Sequence, residues 1–389
     1  MCKVLFIHHG SEKGGAPISL LYTAVGVEKY GYEPIIGLVR PTEGLHRLYN
    51  EVGLKTIEIT KVALYIFCSS SNFSLYHPRA YIKLVRYFKD YRRGQAELEA
   101  ILKTENIDLV HLNSMALSSS ANLLTKVNFP YVWHVREYGP RIKDFRLSRL
   151  ASAMRRAPAV IFLSQAERKS WVGTPPRNST VVYNFVDLNS FKPSEKAKGS
   201  RKKILFVGGL KENKGAELLI DILGVLKKRG IDFQCLMPGS LSNSEVNPGA
   251  ANTTFEQKIL DRSVTLGVYD HLDRSAFNPD IRPLFADCDV LLFPAKVPHF
   301  ARPIVEASAM EKPVVATALP PLDEQVIDGK TGFLVPYDAD SFADKIALVF
   351  EDEGLAARMG KAGRLLIEEN FSSVSQIAKI VAVYEKILS

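Results

Sequence analysis

The stretch FPAKVPHFARPIVEASAMEKPVVATALPPLDEQVIDGKTGFLVP (residues 293–336) decides the fold. It alternates short apolar runs with turn residues. VLLFP (290–294) leads into it as a strand, and PVVAT (313–317) and GFLVP (332–336) follow as two more. None shows polar alternation, which is the pattern of strands buried on both faces of a parallel sheet. Between the first two, Pro303 suits the first turn of a helix, where its missing N–H costs nothing. Glu306 then falls just inside that helix. In parallel sheets ligands sit at the carboxyl ends of strands, where helix N-termini aim free N–H groups at phosphate. The segment therefore reads as half of a pocket for a nucleotide diphosphate.

The same strand–loop–helix cycle extends outward in both directions. KVLFIHHG (3–10) is a strand, SEKGGA (11–16) a loop, and an amphipathic helix follows from Pro17 to about Tyr30. Further strands are expected at EPIIGLV (33–39), LVHLN (109–113), YVWHV (131–135), AVIFLS (159–164) and TVVYN (180–184). A polar, lysine-rich run, KPSEKAKGSRKK (192–203), has linker composition. KILFVGG (203–209) then restarts the cycle, with a helix over 216–228 and strands at FQCLMPG (233–239) and SVTLGV (263–268). At 389 residues two domains are the default. We expect an α/β protein of two Rossmann-like, doubly wound parallel-sheet domains facing across a cleft. The expected boundaries are 1–190, a linker at 191–202, and 203–373. A terminal helix at 374–389 is expected to pack back on the first domain.

Composition narrows the function. Cys2, Cys68, Cys235 and Cys288 have neither metal-ligand spacing nor a disulfide framework, which suits a reducing cytosol. No apolar run approaches the ~20 residues of a membrane span, and the N-terminus reads as a first strand rather than a signal peptide. Residues 1–192 hold 26 Lys and Arg against 15 Asp and Glu, whereas 193–389 hold 24 against 27. A basic first half favours an anionic partner: a membrane surface, a phosphorylated lipid or an acidic glycan. The same excess also suits a merely solubilising surface. No nucleic-acid-binding signature accompanies it, so nucleic acid is not expected as a partner.

Several elements carry candidate chemistry. Gly14 and Gly15, between a strand and a helix, allow close backbone approach to a ligand, or simply a tight turn. His134, in WHVRE (133–137), ends a buried strand, with Arg136 a weaker catalytic candidate and Arg136–Glu137 a structural pair. FVGGLKENKG (206–215) brings Gly208, Gly209 and the Lys214 ammonium to a helix start, an arrangement suited to a diphosphate whose charge grows as its bond to a sugar breaks. Asp287-Cys288-Asp289 and Asp338-Ala339-Asp340 look like metal motifs, but the first enters a buried strand and the second reads as a helix cap. No metal site is expected. YHPRAYIKLVRYFKDYRR (76–93) places Tyr81, Leu84, Val85 and Phe88 on one stripe flanked by Lys83, Arg86 and Lys89. With the apolar stretch at 64–76, this fits an interfacial helix on anionic lipid or a core-facing one.

The 293–336 stretch resembles the C-terminal signature of the retaining glycosyltransferases of family 4, the group 1 transferases, which have the GT-B fold. The resemblance extends over roughly residues 3–388. It implies a metal-independent transferase that moves a sugar from a nucleotide-sugar, a substrate rather than a cofactor, to a glycan or lipid-linked acceptor. Surface polysaccharide or glycolipid synthesis is the implied setting, in the cytoplasm or at the inner membrane face. It assigns the donor sugar to His134 and the Gly14–Gly15 loop, the diphosphate to Lys214, and the nucleotide ribose to Glu306. Phe300, Ala301, Arg302 and Ile304 would complete the nucleotide site. VVYNFVDLNSF (181–191) resembles the interdomain signature, with Phe185 in place of glycine and with Asn184 and Asp187 as turn and hinge formers. Two departures stand out. Gly209 replaces the usual arginine, and Pro298 replaces the first glutamate of the Glu-x7-Glu pair, with His299 beside it. Lys214 remains, and Lys211 and Arg302 are the other cations that could compensate, though the sequence alone does not assign either that role. These losses keep an inactive nucleotide-sugar-binding homologue in view, and an epimerase of related fold is the other alternative.

Overall fold

The computed structural model describes residues 1–10, 15–64, 78–139, 145–172, 176–194, 201–246, 251–275, 278 and 280–389. Gly14, Cys68 and residues 65–76 lie outside these. So do the side chains of 78–90, and with them the expected stripe of Tyr81, Leu84, Val85 and Phe88 and its flanking Lys83, Arg86 and Lys89. The chain forms two compact units, one of Met1–Asn184 with Ser373–Ser389 and the other of Phe185–Ser372.

The first unit holds strands β1 (Cys2–His8), β2 (Tyr32–Leu38), β3 (Lys55–Glu58), β4 (Leu109–Leu112), β5 (Tyr131–Val135), β6 (Ala159–Phe162) and β7 (Ser179–Val181). They form a seven-stranded parallel sheet in the order β3-β2-β1-β4-β5-β6-β7. The order runs outward from β1 in both directions, which is double winding. Side-chain alternation gives the sheet two different faces. Leu5, Ile7, Val110, Leu112 and Trp133 join one apolar core. The intervening residues Phe6, His111 and His134 form the other face, where the helix Ser373–Leu388 lies against the helix Gly15–Glu28 and β5.

The second unit holds β8 (Lys202–Leu205), β9 (Phe233–Pro238), β10 (Leu272–Ser275), β11 (Val290–Phe293), β12 (Val314–Thr317) and β13 (Gly332–Val335). All pairs are parallel, in the order β10-β9-β8-β11-β12-β13. This sheet is again doubly wound, now from β8. The runs VLLFP, PVVAT and GFLVP are β11, β12 and β13, and Pro303 occupies the first turn of the helix Arg302–Ala309.

One expected strand is wrong. SVTLGV (263–268) is the end of the helix Thr254–Thr265 and the turn after it. A capping box at Thr253 and Glu256 starts that helix, and Gly267, at φ +66°, follows its end. Val264 and Leu266 are exposed and only Val268 of its three large apolar residues is buried, so the apolar look of the segment does not mark a buried strand. The strand in that region is β10, at Leu272–Ser275. Both β10 and β3 escape sequence reading because they are sheet edges, half-exposed and carrying Asp273, Arg274, Lys55 and Glu58.

Packing is close where the helix Glu353–Asn370 crosses the end of the helix Arg302–Ala309. A Cβ built on Gly360 would lie 2.0 Å from the Glu311 carbonyl oxygen, and Glu311 itself has φ 58°. Because the obstacle is backbone, Gly360→Val forces the two helices apart and costs about 2–3 kcal/mol. The check is a urea unfolding midpoint that falls while the m-value stays constant.

Candidate functional site

Each sheet reverses its winding at one place, and open α/β sheets bind ligands outside the carboxyl ends of the strands flanking that switch point. In the second unit those strands are β8 and β11. The loop after β8 carries Gly208 and Gly209, and Lys214 ends a short 3-10 turn, Glu212–Lys214, before the helix Ala216–Lys228. Gly215, between turn and helix, has φ +78°, and a Cβ there would lie 1.7 Å from the Pro294 carbonyl oxygen. The loop after β11 is therefore pressed against the loop after β8, and the Lys296 amide donates to the Asn213 carbonyl at 3.2 Å.

This contact brings Lys214 and His299 together. Lys214 Nζ is 2.6 Å from His299 Nε2, and His299 Nδ1 is 2.9 Å from the Val297 carbonyl. A carbonyl only accepts, so Nδ1 carries the proton and Nε2 accepts from the ammonium. Burial, followed by the Lys214 charge, lowers the His299 imidazole to about 4. Burial, with the Lys211 charge second, lowers Lys214 to about 8. A neutral imidazole thus holds the ammonium, beside the position where Pro298 replaces the family's carboxylate.

Gly209 adopts φ +63°, and a Cβ there would meet the Gly239 carbonyl oxygen at 2.8 Å. The backbone itself disfavours a side chain where the family has arginine. Of the two other cations named above, Lys211 is exposed and Arg302 pairs with Glu306. Arg302 Nε donates to Glu306 Oε1 at 2.6 Å across one helical turn, with side-chain exposures of 14% and 8%. Burial raises the Glu306 carboxyl and the Arg302 guanidinium opposes the rise.

The rest of the expected nucleotide site is already engaged. The Ala301 amide donates to Gln325 Oε1 at 2.9 Å, and Gln325 Nε2 returns a bond to the Ala301 carbonyl at 2.7 Å. The Ile304 amide donates to the Ala301 carbonyl, and the Ile304 side chain is in the core. Phe300 is buried, 6.2 Å from Phe371 between ring centroids. Ala301, Ile304 and Phe300 therefore shape the start of the helix rather than present open groups. Gln325, which pins that start, carried no sequence signal.

In the first unit the switch lies between β1 and β4, and Gly15 begins the helix that follows β1. His8 ends β1, Asn113 follows β4, His134 is the next-to-last residue of β5, and Arg136 follows that strand. Arg136 Nε donates to Asn113 Oδ1 and its Nη1 to Asn184 Oδ1 at 2.8 Å. Glu137 accepts from the Met115 amide at 3.0 Å and from Ser114 Oγ, so its carboxylate braces the neighbouring loop. Asp187 forms a turn by accepting from the Asn189 amide and Ser190 Oγ. His134 is buried, with Nδ1 3.0 Å from His111 Nε2, and His111 Nδ1 is 2.6 Å from the Tyr384 hydroxyl. Burial holds His8 and His111 down to about 3 and His134 well below its ordinary value, so these rings are neutral.

The aspartate pairs do other work. Lys203 bonds Asp287 through Nζ and Asp289 through its amide, Asp338 caps a helix at the Ser341 amide, and Asp340 meets Arg229. Among the described residues no group of three or more His, Cys, Asp or Glu could hold a metal ion.

With this geometry in place, comparison with known proteins identifies the family. Residues 14–190 match the model "Glycosyltransferase Family 4", and residues 188–366 match "Glycosyl transferases group 1". The chain belongs to the group 1 glycosyltransferases. It is 28% identical over 191 residues to the D-inositol 3-phosphate glycosyltransferase of Arthrobacter sp., covering 46% of this chain and 44% of that one. It is 27% identical over 184 residues to the capsular polysaccharide biosynthesis glycosyltransferase CapM of Staphylococcus aureus, covering 47% and 46%. The match thus spans less than half the length of these relatives. The crystal structure of Anabaena Alr3699/HepE with UDP and glucose superposes with a TM-score of 0.76 at 20% identity, over 98% of this chain and 99% of that one. That likeness establishes the GT-B fold.

The Arg302–Glu306 pair is the energetic weak point of the site. Arg302→Ala leaves a buried carboxylate without its guanidinium and costs about 3–5 kcal/mol. The double variant Arg302→Met/Glu306→Leu removes both charges and recovers most of that loss. Urea denaturation of the wild type and both variants measures the difference.

Proposed function

We propose that this chain is a retaining, metal-independent glycosyltransferase that moves a sugar from a nucleotide-diphosphate sugar to an anionic or lipid-linked glycan acceptor. The observation that carries this reading is the topology of the second unit, which puts a glycine loop and Lys214 after β8 and Glu306 in the helix after β11, the two strands that flank the switch point. We assign Lys214 to the diphosphate, whose negative charge grows as the bond to the sugar lengthens. Arg302 takes Glu306 Oε1, leaving Oε2 to accept from a ribose hydroxyl. His134 is assigned to the donor sugar, and the basic first unit to the acceptor. HepE, crystallised with UDP and glucose, supports a nucleotide-sugar donor. An enzyme named for D-inositol 3-phosphate supports a phosphorylated acceptor, and CapM supports a place in surface polysaccharide synthesis. Among the described residues no helix is long and apolar enough to cross a membrane. We place the enzyme in the cytoplasm, with peripheral contact to anionic lipid through its basic unit.

Release of nucleotide diphosphate from UDP-, GDP-, ADP- and dTDP-sugars, with EDTA present, tests the reading. The wild type is expected to release one of them, and Glu306→Ala at least about tenfold less. Nucleotide binding with no release from any donor, with or without phosphorylated or lipid-linked acceptors, would mark an inactive homologue instead. Retention is read from the anomeric configuration of the product.

Lys214 adds a pH signature. Its ammonium is the form that binds diphosphate, so affinity falls as pH rises past about 8. Binding raises the lysine pKa, so a proton is taken up in that range. Calorimetry in two buffers of different ionisation enthalpy measures the uptake. Lys214→Met abolishes it and weakens binding about tenfold or more.

A further inference from the structure

The buried hydrogen bonds around His134 form a chain whose direction can be worked out. Tyr384 is fully buried, and among the described residues its hydroxyl meets one hydrogen-bonding partner, His111 Nδ1, at 2.6 Å. His111 Nε2 is 3.0 Å from His134 Nδ1, and His134 Nε2 is buried with no hydrogen-bond partner among the described residues. Each neutral imidazole has one N–H and one lone pair, so only two arrangements make both bonds. In the first, the Tyr384 O–H donates to His111 Nδ1, His111 Nε2–H donates to His134 Nδ1, and His134 Nε2 carries the remaining proton. In the second, every bond runs the other way, and the Tyr384 hydroxyl proton is left permanently without an acceptor inside the core.

A buried donor without an acceptor is the costlier defect. The first arrangement leaves only the N–H of His134, at the carboxyl end of β5, where a ligand oxygen supplies the acceptor. We infer that Tyr384 and His111 are positioning residues that lock His134 in its Nε2–H tautomer, making it a hydrogen-bond donor to an oxygen of the bound sugar. In this state His134 has no lone pair for a substrate hydroxyl and does not act as a general base. The packing helps to hold the geometry: His111 stacks on Phe6 at 4.8 Å between centroids, and Tyr384 sits edge-on to Tyr32 at 5.2 Å. Burial keeps both rings neutral and the Tyr384 hydroxyl protonated, as the chain requires. The inference deepens the assignment of His134 to the donor sugar and rests on it.

Selective ¹⁵N labelling of the histidines in the full chain tests it. Long-range ¹H–¹⁵N correlation reads the tautomer of each ring, and His134→Ala assigns the His134 signals. The expected wild-type spectrum has His134 and His111 both protonated at Nε2. Tyr384→Phe removes one hydroxyl and keeps the packing. Either direction then leaves a single polar atom of His111 unmatched, so the bias narrows and a second His134 tautomer appears. Turnover of the donor found active in the nucleotide-release screen falls about three- to tenfold, with KM changed less than about twofold. A residue with only a structural role would lower stability without moving the tautomer. A wild-type His134 protonated at Nδ1 overturns the inference, as does a Tyr384→Phe variant with unchanged tautomer and kcat. If the tautomers are as expected but His134→Ala turns over normally, the relay stands and the assignment of His134 to the sugar falls.

Discussion

The close approach of Gly215 to the Pro294 carbonyl governs the second unit's site. It joins the loop after β8 to the loop after β11, the two strands at which the sheet reverses its winding. Only glycine tolerates both the positive φ and the missing space. From that contact follow the reach of Lys214 to His299, the bond between Lys296 and Asn213, and the placement of a positive charge outside the strand ends. A parallel sheet contributes the rest. Strands buried on both faces send their loops to one edge, so residues far apart in sequence meet there.

The two switch points solve different electrostatic problems. In the second unit the groups are charged. An ammonium is held by a neutral ring, and a buried carboxylate is held by a guanidinium one turn earlier. In the first unit the buried groups at the strand ends are neutral imidazoles together with asparagine amides, and the Arg136 guanidinium is fixed between Asn113 and Asn184. The charged pairs suit a ligand whose charge changes during reaction. The neutral network suits one that must be oriented without proton transfer. The two departures from the family pattern also differ in kind. The glycine at 209 has a visible cause in its backbone angle and the nearby Gly239 carbonyl, whereas His299 gives the lysine a partner that the missing glutamate does not.

Much of this was legible in the sequence wherever burial leaves a pattern. Central strands such as VLLFP and PVVAT announce themselves because both faces are covered, and the helix over 216–228 stands out by its apolar period. The two edge strands that carry charge, Lys55–Glu58 and Leu272–Ser275, do not announce themselves and escaped notice, and the partly exposed SVTLGV stood in for a strand. Lys214 and Glu306 could be found because their neighbours form recognisable turns. Their partners could not. Nothing in the order of residues says that Arg302 will be spent on Glu306, or that Gln325 will hold Ala301 by both its groups. His111 and Tyr384 are 273 residues apart, and only the folded chain brings them into contact.

That separation bears on how the protein is made. The second unit is one continuous stretch, Phe185–Ser372, whereas the first is completed by Ser373–Ser389. Domains ordinarily assemble in the order in which they leave the ribosome. Here the unit encoded first must wait for the last helix to cover the face bearing Phe6, His111 and His134, while the unit encoded second closes its own core in the meantime. Until Tyr384 emerges, the imidazole pair lies under no lid, and its protons have no fixed direction. The face bearing His111 and His134 is therefore the last to be covered, after the whole of Phe185–Ser372 has been synthesised.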